Sequence, residues 1–321
     1  MKKLKALFRI RLWLLVTGLL VTGSLTAQED TLSFLHITDI HVISNLDHYH
    51  PGIVAARQHY GQGLMPLKQF LQTMPGKTDS KFVVVTGDLI DFYEAATAKG
   101  DMLDLQTEQF SRQFNDSPVP LLFTLGNHDI ASYGWQNDKM ISSQRDAARY
   151  RASWIRNIGC FKEGTYYSRK YTLGGTTYRL ICLDDGYKVV NSDENDDIPY
   201  IDPAQLHWLE TELQQSPDDI EIILMHIPLR AGLDMPVSSA SLYAVLAKNP
   251  SVKLILAGHN HKNVVTEYEQ AENRKMIQVQ TGAFARDAAN NWRQIKLTKD
   301  QIIVSLPGKA EKELVIQTNQ E

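Results

Sequence analysis

Two histidines follow one of the apolar runs in the second half of the chain. The stretch LILAGHNH places His259 and His261 one residue apart, directly after a glycine. Residues i and i+2 of an extended backbone point to the same face, so both imidazoles would aim in one direction. Such a pair could bind a metal ion, could relay protons or could be a coincidence, because the pattern is short. The other apolar runs distinguish between these interpretations.

The same arrangement recurs after four further apolar runs, each of which ends in aspartate, asparagine or histidine. These residues are Asp39 and His41 in FLHITDIH, Asp88 and Asp91 in VVVTGDLID, Asn127, His128 and Asp129 in FTLGNHD, and His226 in ILMHIP. In open α/β sheets, ligands bind in the crevice beyond the carboxyl ends of the strands. Oxygen and imidazole ligands that converge there suit Zn, Mn, Fe or similar divalent ions.

Each of these residues also has an ordinary structural interpretation. Asp39 or Asp88 alone could cap a helix or stabilise a turn, Asn127 follows a glycine as in many turns, and His226 could be a hydrogen-bonded histidine of the core. Their joint occurrence favours a cation site, because carboxylates that meet in one crevice repel by roughly 4 kcal/mol per close pair at an effective dielectric near 20. Bound metal ions would remove this conflict.

The elements that would position these residues alternate between strands and helices. Apolar runs of the kind found in strands covered on both faces are LSFLHIT, KFVVVTG, PLLFTLG, YRLICLD, EIILMHI and VKLILAG. Helical patterns lie at Pro66–Met74, Gln144–Ile158, Pro203–Gln215 and Ser238–Lys248. After His261, the period-two stretches VVTEYEQ, KMIQVQT, WRQIKLT and IIVSLP predict antiparallel hairpins. These patterns predict a layered α/β domain.

Length and composition favour one folded domain without a nucleic-acid partner. The chain has 321 residues, a net charge of −4 and 22% charged residues, so it lacks the excess positive charge that grips nucleic acid or anionic membranes. The acidic segment Asp184–Pro199 also argues against nucleic acid. A phosphate-bearing small substrate stays possible, because bound metal ions invert the local field.

The first 27 residues are typical of a cleavable signal peptide. A basic start is followed by the short apolar run Leu12–Val21 and by small residues up to Ala27. We therefore expect export, most plausibly to a bacterial periplasm, and no stable membrane insertion after cleavage; an uncleaved anchor is the alternative. The folded domain would span residues 28–308, and the polar residues 309–321 would form a frayed tail. Cys160 and Cys182 are expected to stay unpaired, because Cys182 lies in an apolar run.

Taken in order, the polar residue groups resemble the five-block signature of the calcineurin-like metallophosphoesterase superfamily. The blocks are Asp39-x-His41, Gly87-Asp88-x-x-Asp91, Gly126-Asn127-His128-Asp129, His226 and Gly258-His259-x-His261. Each block is weak alone, but five in the right order are a specific match. The resemblance implies a four-layer αββα fold, in which two mixed β-sheets pack as a sandwich flanked by helices. This fold agrees with the predicted elements.

The resemblance also implies a role for each residue. One divalent ion would be held by Asp39, His41 and His261, the other by Asn127, His226 and His259, and Asp88 would bridge both. His128 would protonate the leaving oxygen or stabilise its developing charge, with Asp129 orienting it. Asp91 would support the metal ligands without binding metal. In purple acid phosphatases a tyrosine ligand to ferric iron stands at the position of Asp91, so their purple colour is not expected here.

The activity implied by the resemblance is hydrolysis of phosphomonoesters or phosphodiesters by metal-activated water, without a phosphoenzyme. A catalytically silent binding scaffold of the same fold is the alternative, although a scaffold has no chemical need for His128. Arg230 and Arg286 could contact the phosphate, since a guanidinium suits phosphate oxygens, or could be ordinary surface arginines. The segment Val42–Met65 could contact a small substrate through its histidines.

Overall fold

The structure is a computed structural model that describes residues 30–60, 63–186, 199–230 and 237–318. The predicted signal peptide and most of the acidic segment 184–199 lie outside these ranges. Among the residues in these ranges, no helix combines the length and the apolar character needed to cross a bilayer.

Helices and strands alternate through the first two thirds of the chain, and strands dominate the last third. The helices are α1 (Pro51–Arg57), α2 (Leu64–Thr78), α3 (Gln106–Phe114), α4 (Ala147–Asn157), α5 (Pro203–Gln214) and α6 (Val237–Lys248). The strands are β1 (Thr31–Ile37), β2 (Phe82–Thr86), β3 (Glu94–Ala96), β4 (Met102–Asp104), β5 (Leu121–Thr124), β6 (Ser132–Gln136), β7 (Lys139–Ser143), β8 (Tyr167–Leu173), β9 (Thr176–Cys182), β10 (Ile220–Leu224), β11 (Val252–Ala257), β12 (Val264–Glu269), β13 (Lys275–Gln280), β14 (Arg293–Thr298), β15 (Gln301–Ser305) and β16 (Lys312–Gln317).

Two six-stranded mixed sheets form the centre of the fold. The first sheet has the order β16-β15-β14-β1-β2-β5, and the second has the order β12-β13-β11-β10-β9-β8. The strands that precede the polar residues run parallel within each sheet: β1 with β2 and β2 with β5, and β10 with β11. A separate four-stranded sheet has the order β4-β3-β6-β7, and the sequence patterns did not predict it.

The two large sheets pack face to face, and helices cover their outer faces. In the second sheet, Leu254 and Leu256 of β11 lie in the core shared with the first sheet. Ile255 points to the opposite face and packs with residues of α5 and α6. Helix α2 contacts β1 and β2 of the first sheet. The predicted sandwich of two mixed sheets flanked by helices is confirmed.

Several local predictions can be compared with the structure directly. The side chain of Asp202 caps α5 by accepting hydrogen bonds from the N–H groups of Ala204 and Gln205 at 2.9 and 3.0 Å. Cys160 and Cys182 are both unpaired thiols. The expectation of a frayed tail is wrong for Lys312–Gln317, which pairs with β15 in antiparallel register. Its apolar residues add to the edge of a sheet, which stabilises a strand despite polar neighbours.

Candidate metal centre

The parallel strands of both sheets end at one edge of the sandwich, where the polar residues meet. The backbone N–H of His259, after β11, donates to Asp39 Oδ2, after β1, at 3.0 Å. The ring of His226, after β10, reaches the carbonyl oxygen of Thr86 at the end of β2, with Nδ1 at 2.9 Å. These contacts join the two sheets directly at the crevice.

Asp39, His41 and His261, the first donor group, face one another. Asp39 Oδ1 lies 3.1 Å from His261 Nε2 and 3.8 Å from His41 Nε2. One ligand atom from each of the three residues lies within 4.8 Å of the others, a spacing that could hold a metal ion. Asp39 Oδ1 and His41 Nε2 are buried and make no hydrogen bond of regular geometry within the described residues. Buried polar atoms rarely stay unsatisfied, and a bound cation would satisfy these two.

Asn127, His226 and His259, the second donor group, meet beside the first. Asn127 Oδ1 lies 3.1 Å from His226 Nε2 and 3.1 Å from His259 Nδ1, and these two nitrogens are 3.3 Å apart. Asp88 lies between the groups, with Oδ2 at 3.3 Å from His226 Nε2 and 3.6 Å from His41 Nε2. The structure therefore brings all seven predicted ligands into one place and puts Asp88 within reach of both groups.

Unusual backbone conformations aim these side chains. Five of the residues have positive φ angles: Asp39 at 53°, His41 at 42°, Asp88 at 50°, His259 at 69° and His261 at 55°. The expectation that His259 and His261 lie on extended backbone is therefore wrong, because β11 ends at Ala257 and both residues lie in the left-handed region. Such conformations are uncommon outside glycine and tend to cluster at functional sites.

Two glycines allow the ligands to pack closely. A Cβ atom on Gly126 would overlap Asp88 Oδ1, and one on Gly258 would overlap Thr38 Oγ1 and lie 2.6 Å from Asp39 Oδ2. Any side chain at these positions would push the carboxylates aside. The glycines that precede Asn127 and His259 are therefore required by close approach to neighbouring strand ends.

The electrostatics of the centre match a cation site. Burial alone would raise the pKa of Asp88, but the facing imidazoles of His226 and His128 outweigh burial and hold its pKa well below the ordinary value. In the same way, burial opposes protonation of His226, and the charge of Asp88 overcomes it and raises the pKa of His226 to about 10. The buried carboxylates stay ionised and draw positive charge towards themselves, as they would towards a metal ion.

His128 lies beside the donor groups, and its ring is held by residues other than the expected one. Its Nδ1 atom lies 2.8 Å from the carbonyl oxygen of Asp91 and 2.7 Å from the hydroxyl of Tyr133. The carboxylate of Asp129 instead accepts the N–H groups of Ile90 and Gly126 at 2.9 and 2.7 Å. The prediction that Asp129 orients His128 is therefore wrong, because its two oxygens are used by the backbone of the neighbouring loops.

Asp91 lies behind the first donor group and is held by residues that sequence reasoning missed. Asp91 Oδ1 is 3.0 Å from His41 Nδ1. Arg57 donates hydrogen bonds to the same carboxylate from Nε at 2.7 Å and from Nη2 at 2.5 Å. Burial opposes ionisation, but the hydrogen bonds from Arg57 and His41 lower the pKa of Asp91 to about 2. The ring of Tyr60 stacks on that of His41, with centroids 4.4 Å apart. No motif marks Arg57, Tyr60 or Tyr133 in the sequence.

The candidate substrate residues have different surroundings. Arg286 is exposed and donates from Nη2 to the Tyr60 hydroxyl at 2.9 Å, which places it at the rim beside the first donor group. Arg230 is near Tyr268. His50 caps α1 through a hydrogen bond from Gly52 N–H, while His48 and His59 are exposed.

Comparisons with known proteins agree with this geometry. A family model described as calcineurin-like phosphoesterase matches residues 32–263. A 3′,5′-cyclic-nucleotide phosphodiesterase from Nostoc sp. is 25% identical over 242 residues, 72% of each chain. A 3′,5′-cyclic adenosine monophosphate phosphodiesterase from Escherichia coli is 25% identical over 246 residues, 74% of this chain and 72% of the relative. A dimetal phosphatase from Danio rerio has a similar fold, with a TM-score of 0.60 at 14% identity over 90% of this chain and 99% of that one.

Proposed function

This chain belongs to the calcineurin-like phosphoesterase family, whose members are metal-dependent hydrolases, and from this premise we propose that it hydrolyses small phosphoesters with two divalent ions. One observation carries the proposal: the ends of five strands from two sheets deliver two donor groups that share the buried carboxylate of Asp88. Two ions held in adjacent sites are suited to clamping a phosphoryl group.

The assignment of ligands corresponds to the two donor groups. Asp39, His41 and His261 would hold one ion, Asn127, His226 and His259 would hold the other, and Asp88 would contact both. The mixture of carboxylate, amide and imidazole ligands suits Mn, Zn, Fe or similar ions. When bound, the ions would polarise the phosphoryl oxygens and lower the pKa of a water molecule.

His128 is the residue of this chain best placed to move a proton. A carbonyl oxygen only accepts hydrogen bonds, so the contact with Asp91 puts the ring proton of neutral His128 on Nδ1. Nε2 can then carry a second proton and give it to the leaving oxygen, or stabilise the charge that develops there. Its distance of 4.0 Å from Asp88 Oδ2 places it beside the donor groups, where a substrate phosphate would lie.

The substrate is proposed to be a small phosphoester. The two relatives that are named as cyclic-nucleotide phosphodiesterases support including cyclic phosphodiesters among the candidates. Arg286, at the rim beside Tyr60, and Arg230 are the candidates for a phosphate contact. We also propose that residues 1–27 direct export and are removed. N-terminal sequencing of the secreted protein tests this, and the sequence should begin at Gln28.

Hydrolysis of chromogenic esters tests the proposed activity against the scaffold alternative. The metal-free protein is loaded with Mn²⁺ and assayed on bis(p-nitrophenyl) phosphate, p-nitrophenyl phosphate and a panel of cyclic nucleotides, with and without EDTA. The proposal expects turnover of at least one ester, abolished by EDTA and restored by added Mn²⁺. Full metal loading without turnover of any of these esters would favour the scaffold.

A further inference from the structure

Arg57 forms a bidentate ion pair with Asp91 behind the first donor group. Its Nε and Nη2 atoms lie 2.7 and 2.5 Å from the two carboxylate oxygens, and the side chains are 14% and 0% exposed. Arg57 is the last residue of α1, so the helix directs a partly buried cation at the metal centre. A guanidinium in this planar arrangement fixes the carboxylate in position as well as in charge.

Asp91 contacts both of the histidines that flank it, His41 and His128. Its carboxylate is 3.0 Å from His41 Nδ1, and its carbonyl oxygen is 2.8 Å from His128 Nδ1. The nearby carboxylate favours a proton on Nδ1 of neutral His41, and this tautomer leaves Nε2 unprotonated and directed at Asp39 and Asp88. A histidine must have this tautomer to bind metal through Nε2.

Tyr60 fixes the same histidine from its face. The Tyr60 ring stacks on His41 with an interplanar angle of 30°, and the guanidinium carbon of Arg57 lies 4.6 Å from the centre of the Tyr60 ring. Arg57 therefore touches both groups that hold the His41 ring. By contrast, no described contact joins Arg57 to Asn127, His226 or His259.

Arg57 also binds a carboxylate that a cation could otherwise use. His41, Asp91 and His128 offer ligand atoms within 4.8 Å of one another, which would make a third cluster able to bind metal. The guanidinium already neutralises the Asp91 carboxylate and uses both of its oxygens. Asp91 is therefore unavailable as a ligand of a third cation, and its carboxylate stays in contact with His41.

We propose that Arg57 is a positioning residue that selectively strengthens metal binding by the first donor group, through Asp91 and His41. The inference rests on the proposed dimetal function. It differs from the roles assigned above because Arg57 touches no ligand atom that would face the metal. Its effect is expected on one site of the two, and partners that orient ligands in this way commonly change metal affinity by about 10–100-fold.

Titration calorimetry of the metal-free protein, residues 28–321, with Mn²⁺ tests the proposal. Arg57→Gln should weaken one of two binding events by about 10–100-fold and leave the other unchanged. Arg57→Lys, which keeps the charge without the planar fork, should lose less. In a His261→Ala background, where the first group is already broken, Arg57→Gln should add no further loss, because the two changes act on one site.

Arg179→Gln is the matched control. Arg179 is buried and forms ion pairs with Asp219, whose Oδ2 lies 3.1 Å from Nε and 2.9 Å from Nη2, and with Glu212. It lies on β9 and pairs with a residue that precedes β10, at the end of the sheet opposite the metal centre. Its loss should lower thermal stability without changing either Mn²⁺ affinity.

The outcomes separate this inference from the proposed function. Unchanged affinities in folded Arg57→Gln, or equal weakening of both binding events, would overturn the role of Arg57 while leaving the dimetal function intact. A wild-type protein that binds fewer than two ions would overturn both. Should Arg57→Gln fail to fold, Arg57→Lys decides the matter, and an unchanged first affinity in that variant would count against the inference.

Discussion

The Nδ1 atom of His128 lies 2.8 Å from the backbone carbonyl oxygen of Asp91. Asp91 thus contacts His41 through its side chain and His128 through its backbone carbonyl oxygen. One residue therefore connects the proposed metal ligands to the proposed proton donor. The ring of His128 is held by Asp91 and Tyr133 rather than by Asp129, its neighbour in the chain. The loss of His128 and the loss of Asp129 should therefore have different consequences.

Replacing His128 with alanine should lower kcat by about 10²–10⁴-fold, the range for losing a positioned acid, while the protein keeps two metal ions. The imidazole of His128 belongs to neither donor group, so metal content should not change. Steady-state kinetics on the chromogenic diester and elemental analysis measure the two quantities. His207→Ala, at an exposed position of α5, is the control. Loss of metal together with activity would mean that His128 is a ligand.

Replacing Asp88 with asparagine should reduce the occupancy of both metal sites, because both donor groups share this carboxylate and the change removes its charge. Elemental analysis after dialysis against a fixed Mn²⁺ concentration measures the occupancy. Asp79→Asn, at a side chain that is 91% exposed, should retain the wild-type metal content. Two fully occupied sites in Asp88→Asn would remove Asp88 from its bridging role.

Replacing Asp129 with asparagine should impair stability more than chemistry. Asp129 accepts two backbone N–H groups with separate oxygens, and asparagine can accept only one, which leaves a buried N–H unsatisfied at a cost of about 1–3 kcal/mol. Urea denaturation measures this loss, and kcat should stay within a few-fold of wild type. Asp202→Asn is the matched control, because Asp202 accepts both N–H groups with one oxygen. A large fall in kcat at unchanged stability would restore an orienting role for Asp129.

Glu221 should contribute less to stability as the pH rises from about 4.5 to 7. Burial raises the pKa of Glu221 from 4.5 to about 7, although hydrogen bonds from Ser251 and Ser216 oppose this. The folded protein therefore binds more protons than the unfolded chain in this window, and stability decreases as the pH passes through it. Glu221→Gln should remove this contribution, which is at most about 3 kcal/mol.

Urea denaturation of both proteins between pH 5 and pH 8 measures the contribution of Glu221. The difference in unfolding free energy should shift in favour of Glu221→Gln as the pH rises. Glu108→Gln, at a side chain that is 59% exposed, should show no such trend. A pH-independent difference between wild type and Glu221→Gln would contradict the expectation.

The chemistry of the centre could be predicted from sequence because it depends on residue types at strand ends. Strands such as β2 and β11 are marked by continuous apolar residues, and the residues just after parallel strands lie at one edge of the fold. Asp88 and His259 could therefore be expected to meet, although they are far apart in the chain. Helix α5 was equally predictable, because its cap is a local interaction between Asp202 and its neighbours.

Tertiary structure decided the features that local patterns do not encode. The left-handed conformations of His259 and His261 arise because the strand-end loops must bring ligands from two sheets within a few ångströms. Strand β16 forms because a paired edge is available to it, and the four-stranded sheet forms from segments of three to five residues that contain no continuous apolar run. Arg57 is the clearest example: an arginine at the end of a short helix has no distinctive spacing, and it acquires a partner in Asp91 only when the chain folds. Sequence determines which side chains can bind cations, whereas the residues that orient them are selected by proximity, which only the folded chain defines.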